Sequence, residues 1–344
     1  MKANKIIIDS IYLNSEGGKE ILSHLIEYLQ KRNLLNNYYF LIDKRFNKNK
    51  LLDIIKYEYL NSTEIARRKF YLNTKISYKS VVCMSNIPPP LKLKQSVFIY
   101  FHNVLLLKPF KSNQGFNQKI FSFFKKIYIK FHVSKSYKWI VQTELIRHNL
   151  SKSFSISKKI IEVMPIFGGG SSTKKNRIKN SFLYVGSISR HKNHKRLFKA
   201  FIDASKKINN QIQLHLTIPE NDFIKSIYNN LEFPKNLKII NHGILEKNKL
   251  NTLYSTVEFS IFPSLNESFG LPLLESINNG TRVVAADLDY VNEIIIPSLK
   301  FDPESITSIS DSILLAIHES ELKESKILVQ NKIDTFVKYI SMDV

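Results

Sequence analysis

The chain has one cysteine, Cys83, among its 344 residues, so it cannot close an internal disulfide. A reducing compartment is its simplest home. No apolar run approaches the ~20 residues that a bilayer crossing requires. No secretory leader is expected either, because Lys5 to Ile8 is a short strand-like run followed at once by Asp9. A cytoplasmic, soluble chain is therefore expected. Acidic residues are scarce as well, with 29 Asp and Glu against 51 Lys and Arg and a formal charge of +22. That excess suits an anionic partner, whether nucleic acid, acidic lipid or a phosphorylated substrate. Lys and Asn are abundant in both halves, so part of the excess is composition alone. No nucleic-acid recognition motif is present, and the aromatic residues follow core spacing rather than a stacking array, which argues against a nucleic-acid partner.

The length suits two α/β domains, each able to bury its own core. Lys5 to Asp9 reads as a first strand and Asn14 to Gly18 as the turn after it. Ile21, Leu22, Leu25, Ile26 and Leu29 then follow helical spacing. The pair Gly17 and Gly18 would let backbone approach a ligand closely, although the G-x-G-x-x-G dinucleotide spacing is absent. Further strands are expected at Tyr38 to Asp43, Val81 to Met84, Val97 to His102, Lys138 to Thr143 and Ile160 to Met164. Helical segments are expected at Leu51 to Leu60, Ser62 to Lys75, Gln118 to Phe131 and Leu145 to Ser151. This alternation predicts a parallel sheet covered on both faces. Gln118 to Phe131 mixes aromatic residues with lysines, as a helix at an anionic membrane surface would, or as a buried helix whose lysine stems reach outward.

Pro165 to Asn180, with Gly168, Gly169 and Gly170, has linker composition. The expected division is residues 1–167, a linker at 168–180, a second domain at 181–325 and a closing helix at 326–344 that packs back toward the first domain. After the strand Ser181 to Val185 the loop Ser187 to Arg196 is rich in cations ahead of a helix amino terminus. Such charges oppose the helix dipole, which makes a bound anion there reasonable.

Thr256 to Asp287 is the most informative stretch. Val257 to Phe262 is a buried strand closed by Pro263, Pro272 suits a first helical turn, and Gly280 suits the residue just past the helix end. A strand then resumes at Thr281. Between them Glu267, Ser268, Phe269 and Gly270 occupy a strand-to-helix loop, the place where parallel sheets bind ligands and helix amides attract phosphate. Glu267 and Glu275 stand with seven residues between them; a carboxylate here can accept from both ribose hydroxyls while amides face a diphosphate.

Glu267, Ser268, Phe269, Gly270, Leu271, Pro272 and Glu275, with Pro263 and Ser264 before and Gly280 after, resemble the signature of the retaining, nucleotide-sugar-dependent glycosyltransferases of family four. The resemblance implies the GT-B fold, two Rossmann-like parallel-sheet domains facing across a cleft. It implies a nucleoside diphosphate sugar (UDP- or GDP-linked) as donor, a saccharide or lipid-linked saccharide as acceptor, and no cofactor or metal. Asp287-Leu288-Asp289 mimics a metal-binding Asp-x-Asp but follows the wrong strand for that role. Lys192 matches the family lysine on the donor diphosphate. Ser187 replaces the family arginine after Gly186, so Arg190 is the expected substitute. Glu275 would grip the ribose and Glu267 would lie nearer the transferred sugar. His102 would lie beside that sugar, Gly17 and Gly18 near the diphosphate, and Gly243 and Ile244 at the base. Bacterial cell-surface polysaccharide synthesis, with peripheral contact to the inner face of an anionic membrane, is the expected setting. An inactive glycosyltransferase-like partner subunit and a basic nucleic-acid-binding protein are the alternatives.

Overall fold

A computed structural model describes residues 5–13, 15–46, 51–107, 116–133, 137–169, 176–223 and 231–342. It divides into two units, Met1–Gly168 with Gln330–Val344, and Gly169–Val329. In the first unit the order is β1 (Lys5–Asp9), α1 (Glu16–Lys31), β2 (Tyr38–Asp43), β3 (Tyr57–Leu60), α2 (Glu64–Asn73), β4 (Tyr78–Cys83) and β5 (Ser96–Phe101). There follow α3 (Phe116–His132), β6 (Lys138–Val141), α4 (Glu144–Phe154) and β7 (Ile161–Val163). Among the described residues these strands make a seven-stranded, wholly parallel sheet in the order β3-β2-β1-β4-β5-β6-β7. The central strands are apolar on both faces, as a sheet covered on both sides requires; Ile7, Val81, Ile99 and Trp139 are all buried.

Two local expectations change. Leu51 to Leu60 is not one helix: a single 3-10 turn at Leu52–Ile54 precedes β3, an edge strand pairing with β2. Its Tyr57 and Tyr59 alternate with polar residues at a period of two, which outweighs the preceding apolar run. Gly17 and Gly18 are not in a turn but in the first turn of α1, where the Ser15 hydroxyl caps the Gly18 amide at 3.2 Å. Each glycine costs a helix about 1 kcal/mol, offset by the cap and by the buried stripe Ile21, Leu22, Leu25, Ile26 and Leu29. Gly18 is there for space, since a Cβ would lie 2.6 Å from Leu13 Cδ1.

A buried ionic network underlies the carboxyl ends of β1 and β4. Arg67 donates from Nε and Nη2 to Asp9 Oδ2 at 3.1 and 2.9 Å and from Nη1 to Glu64 and the Pro88 carbonyl. Tyr71 adds a third donor to Asp9 Oδ2 at 2.7 Å. With Arg67 and Asp9 both essentially inaccessible, the pairing makes burial of either charge tolerable. Burial and the neighbouring Asp9 carboxylate push the Cys83 thiol well above its ordinary range, so it stays protonated and inert.

The closing helix Ile333–Ser341 also belongs to the first unit. Its Phe336 and Tyr339 pack edge-on against Tyr100 and Phe98, with ring centres 5.7 and 5.3 Å apart.

The second unit runs β8 (Ile178–Tyr184), α5 (His194–Lys206), β9 (Ile212–Leu216), α6 (Glu220–Phe223), β10 (Leu237–Asn241), α7 (Lys247–Thr256), β11 (Val257–Phe262) and α8 (Leu271–Asn278). Then come β12 (Arg282–Ala286), α9 (Asp289–Asn292), β13 (Ile295–Ile296), β14 (Leu299–Phe301), α10 (Ile306–His318) and β15 (Lys326–Ile327). Six strands form a parallel sheet in the order β10-β9-β8-β11-β12-β14, and β13 pairs antiparallel with β15. Each parallel sheet therefore has one point where the strand order reverses, between β1 and β4 in the first unit and between β8 and β11 in the second. Chains leave such neighbours in opposite directions, opening a crevice at their carboxyl ends.

Candidate functional site

At the β8/β11 reversal the loop from Gly186 to Asn193 meets the loop from Pro263 to Gly270. Lys192 Nζ lies 2.7 Å from Glu267 Oε1, with the two side chains 14% and 15% exposed. The contact is not aligned as a hydrogen bond, so the two meet as charges and the Glu267 oxygen keeps acceptor capacity. Lys192 also stands 5.6 Å from the centre of the Phe262 ring, and its stem runs along Gly186, where a Cβ would sit 3.5 Å away.

Latches between the loops hold this pair. The Leu265 amide donates to the His191 carbonyl at 2.7 Å. Asn193, in the left-handed region at φ 60°, donates its amide to the carbonyls of Pro263 and Pro303 at 3.2 and 2.7 Å. Tyr184 gives its one proton to the Lys192 carbonyl at 2.7 Å, so the Ser264 hydroxyl 3.0 Å away is the donor in that second contact. Tyr290 donates to the Ser264 carbonyl. Burial pushes His194 down to about 3, aided by the Lys192 charge, and lowers His191 likewise. Both rings are therefore neutral at ordinary pH, leaving Lys192 as the cation beside Glu267.

Arg190, in the 3-10 turn Arg190–Lys192, is exposed and forms no ion pair among the described residues. Ser268 is partly buried beyond Glu267, and Gly270 takes φ 75° as the residue before α8, a conformation that a side chain would strain. Leu271 and Pro272 start the helix. Phe269 is only 3% exposed, so its ring is a packing element and any ligand contact from it is through backbone.

Glu275, one turn into α8, has both carboxylate oxygens engaged: Lys247 donates to Oε1 at 2.6 Å and Tyr254 to Oε2 at 3.1 Å. Neither partner stands out in the sequence. Their separation of seven on one helix is the signal, since it puts both on the same face of α7. Gly243 takes φ 65° and Ile244 is 78% exposed, in the short segment that leads from β10 into Lys247. Just before it His242 stacks on His215, with ring centres 5.2 Å apart and Nδ1 to Nε2 at 2.9 Å. Burial first, then His242, holds His215 down to about 4.

Asp287 accepts from Asn292 and pairs with Lys300, which keeps its carboxyl below the usual range. Among the described residues no group of three or more His, Cys, Asp or Glu is placed to hold a metal.

In the first unit the reversal lies between β1 and β4. Tyr12, after β1, has φ 75° and Asn86, after β4, has φ 68°; both are strained for residues with side chains. The Asn86 side chain accepts the His102 amide at 2.6 Å. His102 Nε2 lies 2.8 Å from the Met84 carbonyl, which can only accept, so Nε2 carries the proton and Nδ1 is left as an acceptor. Burial holds the ring neutral. Gly17 is exposed and Gly18 buried in the first turn of α1.

Residues 171–333 match the family described as glycosyl transferases group 1. O-antigen chain mannosyltransferase RfbU of Salmonella typhimurium is 24% identical over 225 residues, 64% of this chain and 60% of that protein. O-antigen chain mannosyltransferase B of Escherichia coli is 30% identical over 83 residues, 24% of this chain and 22% of that one. The match thus spans less than two thirds of either relative. Among solved structures, HepE of Anabaena in complex with UDP and glucose superposes with a TM-score of 0.67 at 13% identity, covering 92% of this chain and 90% of that one.

Proposed function

For a chain whose residues 171–333 match the group 1 glycosyl transferases and whose fold is of the GT-B type, we propose a retaining hexosyltransferase. It moves a hexosyl group from a UDP- or GDP-linked sugar to a saccharide or lipid-linked saccharide, in the assembly of a bacterial cell-surface polysaccharide. The observation that carries the reading is the meeting of Lys192 and Glu267, 2.7 Å apart at a strand-order reversal, with Glu275 on the helix that starts there.

The chemistry is electrostatic. As the bond from the anomeric carbon to the diphosphate oxygen breaks, positive charge spreads over the sugar ring and negative charge collects on the diphosphate. Lys192, Arg190 and the amide end of α8 stabilise the negative part without a metal or other cofactor. Glu267 faces the sugar, Glu275 the ribose, and the Gly243 and Ile244 backbone the base; Ser268, Gly270 and Leu271 line the phosphate approach. In the first unit, considered by itself, His102 keeps Nδ1 available as a hydrogen-bond acceptor, and Gly17 and Gly18 give the start of α1 its clearance. The O-antigen relatives and the neighbour's complex with UDP and glucose support this reading.

Peripheral attachment at the inner face of a membrane is part of the proposal. On α2, Ile65 and Leu72 are 82% and 63% exposed, and on α3 Phe123, Phe124 and Phe131 are exposed beside Lys130. Tyr128 of α3 donates to Glu64 of α2, tying the two helices. Apolar groups among cations suit anionic headgroups over acyl chains. Phe124→Ser with Phe131→Ser should abolish sedimentation with anionic vesicles; equal binding of wild type to neutral vesicles would count against it.

The test of the activity is calorimetry with UDP and GDP, then turnover of a panel of sugar nucleotides. One nucleotide should bind tightly and lose affinity in Glu275→Ala. Binding without turnover of any sugar nucleotide would favour an inactive partner subunit, a reading to which Ser187 in the family arginine's place lends support. Binding to oligonucleotides alone would overturn the proposal.

A further inference from the structure

We infer that Lys247 and Tyr254 are positioning residues which aim the Glu275 carboxylate at a vicinal diol and so make the site discriminate ribose from 2′-deoxyribose; this rests on the nucleotide-sugar reading of the same site. A carboxylate has about four acceptor positions, two on each oxygen. Lys247 fills one on Oε1 at 2.6 Å and Tyr254 one on Oε2 at 3.1 Å. One position per oxygen is left, on neighbouring atoms, which is the pattern two adjacent hydroxyl donors need.

The clamp has two unequal arms. Tyr254 is 1% exposed and fixed by its packing in α7, so its hydroxyl is a rigid stop. The Lys247 side chain is 37% exposed and its charge gives the stronger bond. Glu275 itself is held by the helix, where Asn279 donates from its backbone and side chain to the Glu275 carbonyl at 3.1 and 2.8 Å. Those bonds fix the backbone alone, so the Glu275 side-chain torsions are restrained by the two donors on its carboxylate. Lys247 is also the first residue of α7, three positions after Ile244. Its bond to Glu275 fastens the segment that carries Gly243 and Ile244, so base and ribose contacts are set by one latch. The diphosphate end depends on Lys192 instead and does not share it.

This partition gives the test. Dissociation constants for UDP, 2′-deoxy-UDP, GDP, 2′-deoxy-GDP and inorganic pyrophosphate are measured for wild type, Lys247→Met, Lys247→Arg and Tyr254→Phe. In wild type the preferred nucleotide should bind about tenfold more tightly than its 2′-deoxy form, because a missing hydroxyl leaves a buried acceptor unpaired. Lys247→Met should weaken that nucleotide about tenfold and reduce the ribose preference to about twofold, with pyrophosphate unchanged. Lys247→Arg should restore most of the preference. Tyr254→Phe should give a smaller loss of the same kind. With the donor sugar found by turnover, Lys247→Met should raise KM and leave kcat within about twofold. A preserved ribose preference in Lys247→Met, or an equal loss of pyrophosphate binding, would overturn the inference while leaving the donor site standing. Wild type that binds no nucleotide at all would overturn both.

Discussion

Replacing Lys192 by Met keeps the length of the side chain and removes its charge. The ammonium lies 2.7 Å from Glu267 and the lysine side chain is 14% exposed, so the site is only partly screened by water. At an effective dielectric of about 20, a full charge about 4 Å away interacts with about 4 kcal/mol. The diphosphate is anionic before the bond breaks, so only the charge that develops in the transition state accelerates the reaction. Half a charge corresponds to about 2 kcal/mol, or about thirtyfold in kcat. Initial rates of nucleoside diphosphate release across donor concentrations measure this directly. Lys192 has a second duty, neutralising Glu267, and Glu267→Gln separates the two. If Lys192 serves the departing diphosphate, Lys192→Met should still cost about thirtyfold in the Glu267→Gln background. Should the lysine substitution cost nothing once Glu267 is neutral, or cost less than threefold in wild type, the electrostatic role assigned to Lys192 is wrong.

Arg67→Met should destabilise the first unit by about 3–5 kcal/mol in urea unfolding, because Asp9 would be left buried without a cation; Asp9→Asn in the same chain should recover part of that loss. His194 is buried with a folded-state value of about 3 against about 6.5 unfolded, so the unfolded chain binds the extra proton between those values. Stability should be full above pH 6.5 and fall as pH drops below it, by about 2.5 kcal/mol at pH 4.5; His194→Leu should unfold with a shallower pH dependence, and an unchanged slope would contradict the assignment. Gly270→Ala should cost about 1–2 kcal/mol from the positive φ, with more from the Leu273 Cδ1 atom 3.1 Å from the new Cβ, and donor turnover should fall with it.

The strand-loop-helix around Glu267 was legible because its punctuation is local: Pro263 closes β11, Pro272 opens α8 and Gly280 ends it. The rest of the site depends on distant partners. No spacing reveals that Asn193 crosses to Pro263 and Pro303, or that Tyr290 holds Ser264, because those bonds exist only once the sheet order has brought β8 beside β11. Lys247 and Tyr254 share a face of α7 by their spacing of seven, but their common partner Glu275 is fixed only when α8 lies against that face. Gly17 and Gly18 misled in the other direction. Glycines favour turns, but a capping serine and five buried apolar residues downstream decide for helix. Residues 170–175, with the last glycine of the triple-glycine linker, lie outside the described residues.

The closing helix has a consequence for the order in which the chain matures. The polypeptide leaves the first unit at Gly168 and re-enters it only at Gln330. During synthesis, Phe98 and Tyr100 emerge with their neighbours but must wait for Phe336 and Tyr339 before their outer edges are covered. The second unit has all six strands of its parallel sheet by Phe301, well before then. The half of the molecule made first is thus the half completed last, and a chain cut short near residue 330 would present bare aromatic rings to any chaperone or protease within reach.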